Sequence, residues 1–111
     1  MDILEKYLQI IQEILREYAK IPYAHGEIQT QTVFDRDNDH YLLVIIGRDG
    51  VKRVHGCLVH IDIINNKIWI QRDGTEDGIA TYLMEAGVSK DRIVLGFRSP
   101  DIRKYTEFAV E

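Results

Sequence analysis

The spacing of apolar residues changes at Gly26, and that change limits the fold more than any other feature. Before it, Ile3, Leu4, Tyr7, Leu8, Ile11, Ile14, Leu15 and Tyr18 recur at i, i+3, i+4, i+7, the rhythm of one face of an α-helix. Glu5, Gln9, Glu13, Arg16 and Lys20 fall on the opposite face. Asp2 stands at the N-cap position, with Glu5 three residues on to complete a capping box. Pro22 ends the helix, because the residue before a proline is pushed out of helical angles. After Gly26 the period is two. Ile28, Thr30, Thr32 and Phe34 alternate with Glu27, Gln29, Gln31 and Val33, so the chain becomes strand.

Three more strands follow from the same reasoning. His40–Ile46 is nearly continuously apolar, as in a central strand covered on both faces. Turns bracket it at Asp35–Asp39 and Gly47–Gly50. Val51–Ile64 is a long third strand in which Gly56 marks a bulge or bend. Asn65-Asn66 has the length and residue type of a two-residue type I′ hairpin turn. Lys67–Gln71 is the fourth strand, with Ile68 and Ile70 on one face and Trp69 and Gln71 on the other. Thr75 then reads as the N-cap of a short helix, Glu76 and Asp77 as acids in its first turn, and Gly87 as the residue closing it. Ile93–Leu95 reads as a short strand or a buried loop, Ser99-Pro100-Asp101 as a turn, and Tyr105–Val110 as a final extended segment. The expected fold is α+β: one domain over residues 1–111, with an N-terminal amphipathic helix, a four-stranded antiparallel meander, a second short helix and a compact C-terminal tail. Both helices cover one face of the sheet.

Composition excludes several function classes. Lys and Arg number 14 against 18 Asp and Glu, for a net charge of −4. The longest basic cluster is Lys52-Arg53, loosely extended by Arg48, which is a poor footprint for direct DNA binding. The single cysteine forbids an internal disulfide and fits a reducing compartment. No charged start followed by an apolar run opens the chain, and no run of about 18 apolar residues occurs, so a cytoplasmic protein with no membrane partner is expected.

The third strand carries the densest polar chemistry. His55, Cys57, His60 and Asp62 fall within eight residues. Regular alternation points His55 and Cys57 to one face and His60 and Asp62 to the other, unless a bulge breaks the phase. Two ligands per face are too few for zinc, which takes three or four protein ligands. His40 opens the neighbouring strand, but sequence alone does not place it against either pair. Cys57 in mid-strand has poor access for a nucleophile. Asp73 and Glu76 fit a turn and a helix start better than a carboxylate pair. No catalytic, cofactor or metal site is therefore assigned, and two alternatives stay open: a small metal-dependent hydrolase or nuclease using His55, Cys57, His60 and Asp62, and a direct DNA-binding architectural factor. Trp69 and Gln71 lie on an exposed sheet face if the helices cover the isoleucine face, and an exposed Trp is a natural interface anchor. Arg98, Arg103, Lys104 and Tyr105 form either a small basic and aromatic patch or a solvated surface with Tyr105 in the core. Exposed strand edges at Gln31 or Gln71 leave self-association open.

The run VHGCLVHIDIINNKIWIQRDGTEDGIA, Val54 to Ala80, resembles the central signature of the XisI-like family, the fdxN-element excision controlling factors of cyanobacteria. GVSKDRIVLGF (Gly87–Phe97) and RKYTEFAV (Arg103–Val110) resemble later parts of the same pattern, so the likeness spans essentially the whole chain. Ser99-Pro100 stands where the family tends to have two prolines, a minor loop change. The resemblance implies an accessory factor in programmed DNA excision in heterocyst-forming cyanobacteria. It also implies a XisH-like companion of endonuclease fold, a site-specific recombinase, and DNA reached through these partners. It brings no enzymatic residue with it. Candidate partner-surface positions are His55, Cys57, His60, Asp62, Trp69, Gln71, Asp73 and Glu76.

Overall fold

The structure is a computed structural model that describes residues 3–111. The expected N-cap, Asp2, lies outside the described residues. Helix α1 spans Ile3–Ala19. It closes as expected ahead of Pro22, with Lys20 N–H and Ile21 N–H donating to the carbonyls of Glu17 and Tyr18, a tightened last turn. Four strands follow: β1 Glu27–Asp35, β2 His40–Asp49, β3 Lys52–Ile64 and β4 Lys67–Asp73. Each pairs antiparallel with the next. Strand β2 runs on through Gly47, so the turn expected at Gly47–Gly50 shrinks to Gly50-Val51. Gly47 is tolerated in the strand because it packs directly on β1: a Cβ there would lie 2.0 Å from the Glu27 carbonyl oxygen. The β3–β4 turn has Asn65 and Asn66 at φ 52° and 63°, the left-handed pair a type I′ hairpin needs.

The sheet has five strands rather than four. After helix α2, Ile79–Glu85, strand β5 (Ile93–Leu95) returns beside β4 in parallel, giving the order β1-β2-β3-β4-β5. A parallel neighbour requires such a crossover helix. Gly87, at φ 102°, closes α2 with its N–H on the Met84 carbonyl. The tail adds a short helix, α3, over Pro100–Arg103, where a turn was expected. It then runs back so that Val94 and Ala109 form a parallel bridge.

One core lies between the helices and one sheet face. Tyr7, Leu8, Ile11 and Leu15 of α1 and Ile79 and Leu83 of α2 pack with Tyr41, Leu43, Val59, Ile61, Ile68 and Ile70. Each fully buried aliphatic contributes about 1.5–3 kcal/mol. Val94 is also fully buried, but it pairs with Trp69 on the far face. Tyr105, for which a core position was one reading, is 78% exposed. The Lys104 ammonium sits 5.2 Å from its ring.

Candidate functional site

The site is made by a register irregularity in β3. Val44 pairs with Cys57 and Leu43 with Val59, so Leu58 is one residue in excess. The bulge therefore sits at Leu58, two residues after the expected Gly56. The consequence is geometric. His55, paired with Ile46, and Cys57, paired with Val44, lie on the same face as His60, paired with Leu42, and Asp62, paired with His40. The two pairs that simple alternation separates share the sheet face away from the helices. The extra residue also brings His40 directly opposite Asp62. In an unbulged ladder counted from the β2–β3 turn, His40 would oppose Ile61.

Asp62 is the hub of this face. Its side chain is only 13% exposed. His40 Nδ1 lies 2.6 Å and His60 Nε2 2.8 Å from its Oδ1. An ionised carboxylate only accepts, so each ring presents an N–H to the same oxygen. Gln71 Nε2 donates to the other oxygen, Oδ2, at 3.3 Å. Burial alone raises the Asp62 pKa, but the hydrogen bonds from His40, His60 and Gln71 outweigh it and hold the carboxyl below its usual range. The same bond to Asp62 raises His40, against a smaller desolvation effect. Gln71 reaches Asp62 from a second irregularity. His60 pairs with Arg72 and Ile61 with Ile70, which leaves Gln71 as the extra residue of β4. Gly96 makes room for it, since a Cβ there would sit 2.6 Å from Gln71 Oε1.

The other predicted residues separate from this trio. Cys57 is half-buried, and its Sγ donates to the Val59 carbonyl at 3.2 Å. Desolvation raises its thiol pKa, the opposite of what a nucleophile needs. His55 is exposed near the far end of the strand. Trp69 lies on the face away from the helices but is not a bare anchor: the Arg103 guanidinium covers its ring at 5.0 Å. Asp73 is a capping residue. Its carboxylate accepts Thr75 N–H at 3.0 Å, Thr75 Oγ1–H at 2.5 Å and Ile79 N–H at 2.7 Å. Helix α2 accordingly starts at Ile79 rather than directly after Thr75 as N-cap, and Thr75 Oγ1 instead accepts the Gly78 N–H at 3.1 Å. Glu76 is exposed in the loop between. Sequence reasoning left His40 out of the candidate set. Its signal was its place at the start of β2, readable only by someone who knew that one bulge separates it from the β2–β3 turn.

Fold and site together define a small α+β protein with one helix-covered sheet face and a His–Asp–His cluster on the other. The XisI protein family matches residues 1–110, and the chain belongs to that family. A crystal structure of a XisI-like protein from Anabaena variabilis superposes with a TM-score of 0.89 at 32% identity, covering 97% of this chain and 99% of that one. A crystal structure of fdxN element excision controlling factor XisI, also from Anabaena variabilis, superposes at 0.84 with 35% identity, covering 99% and 100%. No curated protein matches the chain. No helix among the described residues is long and apolar enough to cross a membrane.

Proposed function

We propose that this chain is an accessory factor that controls excision of a DNA element by binding a XisH-like protein of nuclease fold, with no catalysis of its own. The observation that carries the reading is family membership over residues 1–110, together with the similarity to an fdxN element excision controlling factor. The physical chemistry supports the division of labour. A net charge of −4 does not suit a chain that must hold DNA by itself. Burial raises the pKa of the Cys57 thiol, which disfavours it as a nucleophile. The chemistry on DNA then falls to the partner and to a site-specific recombinase.

The test is quantitative amplification of the excised junction in cells carrying the element, with this chain's gene present, deleted and restored. Junction formation is expected to fall at least tenfold on deletion and to recover on complementation. Excision unchanged by the deletion would overturn the reading.

A further inference from the structure

We infer that His40, His60 and Asp62 form a binding site for a borderline divalent transition cation of the zinc class, open on one side to an exchangeable ligand. The site is built from this chain's own side chains, whether or not the chain controls excision.

Three donor groups from two neighbouring strands converge. Their ligand atoms all lie within 4.8 Å of one another. Two imidazole nitrogens point at a single carboxylate oxygen, at 2.6 and 2.8 Å. With zinc–ligand distances of about 2.0–2.1 Å, tetrahedral donors stand roughly 3.4 Å apart. The two histidine–carboxylate contacts, at 2.6 and 2.8 Å, reach that spacing by opening roughly 0.6–0.8 Å, within the play of side-chain torsions. The two rings meet at 90° with centroids 6.1 Å apart, so their edges face a common region instead of stacking. Asp62 is oriented from behind by Gln71, which holds the oxygen that the histidines leave free. A partner of this kind outside the ligand set fixes a ligand's direction and tunes its basicity.

The donor types select the cation. Two imidazoles and one carboxylate suit zinc, cobalt, nickel or ferrous iron, whereas magnesium and calcium take sets of oxygens. The exposure selects the kind of site. His40 is 48% and His60 34% exposed, while Asp62 is 13% exposed. Protein holds the cation from the sheet side, and the outer side faces solvent. Three protein ligands with one position left for water or an incoming donor describe an exchangeable centre, where a closed structural site has four.

The experiment is titration of Zn2+ into the full chain after dialysis against a chelator, with a chromophoric competitor to read affinity and the histidine ring resonances followed by NMR. The expected result is one Zn2+ per chain, with His40 and His60 signals shifted and those of His25 and His55 unmoved. His40→Ala and His60→Ala are each expected to weaken binding more than about tenfold, and Gln71→Ala by about tenfold. His55→Ala is expected to bind as the wild type does. The NMR readout uses the unaltered chain, so it decides the matter even if a variant fails to fold. Absence of Zn2+ binding, binding that shifts His25 or His55 instead, or equal affinity in folded His40→Ala and His60→Ala variants would overturn the inference.

Discussion

Removing the Asp73 side chain is expected to loosen helix α2 and to cost stability. In Asp73→Ala three hydrogen bonds disappear together, from Thr75 N–H, Thr75 Oγ1–H and Ile79 N–H. The Ile79 N–H opens the helix, and Ile79 itself is fully buried, so water cannot freely replace the lost acceptor. A hydrogen bond to a charged group contributes about 1.5–3 kcal/mol, and loss of a helix cap typically costs about 0.5–2 kcal/mol. These bonds share one half-exposed carboxylate, so they do not add fully, and the expected loss is about 2 kcal/mol. For a chain of this length that corresponds to a fall in Tm of roughly 8 °C. Asp73→Asn keeps one acceptor oxygen and is expected to lose about half as much. The assay is urea denaturation followed by circular dichroism, with the thermal melt as a second readout. A loss below about 0.5 kcal/mol for Asp73→Ala would refute the capping role and return Asp73 to the partner surface.

Gly47→Ala is expected to destabilise by about 3 kcal/mol or more in the same denaturation assay. The added Cβ falls 2.0 Å from the Glu27 carbonyl oxygen, and a backbone neighbour cannot rotate aside. Burial, followed by the hydrogen bond to Asp39, pushes the Tyr41 phenol up to about 12. Ultraviolet titration is therefore expected to show a tyrosine ionising at about pH 12. The sign follows from the raised value: the stability Tyr41 adds is complete below pH 10 and is lost as the pH rises through about 12. Cys57 is expected to react with a thiol reagent at least tenfold more slowly in the native chain than in denaturant, since desolvation raises its pKa.

Most of the architecture was legible because it depends on local patterns. The α1 stripe, the alternation in β1 and the Asn65-Asn66 turn each act within a few residues, and each was read correctly. What the sequence concealed are the non-local features. Ile93–Leu95, a short strand or a buried loop by its sequence, is settled as a strand by the edge that β4 offers it. Helix α2 begins at Ile79 because a carboxylate six residues earlier in the chain reaches its first N–H, where Thr75 satisfied the local rule for a cap. The polar cluster was harder still. Leu58 is as ordinary a strand residue as its neighbours, and nothing in its side chain announces that it will be the extra residue. Yet that displacement places His55, Cys57, His60 and Asp62 on one face and sets His40 against Asp62. The glycine that did suggest a bulge, Gly56, pairs regularly with Ile45.

A chain that works through a XisH-like partner forms a stable complex with it. Co-expression with such a protein, followed by size-exclusion chromatography with light scattering, measures this. The account predicts one peak whose mass contains both chains in a fixed ratio and persists on dilution into the micromolar range. Two separate peaks, each with the mass of one protein or its own oligomer, would contradict it.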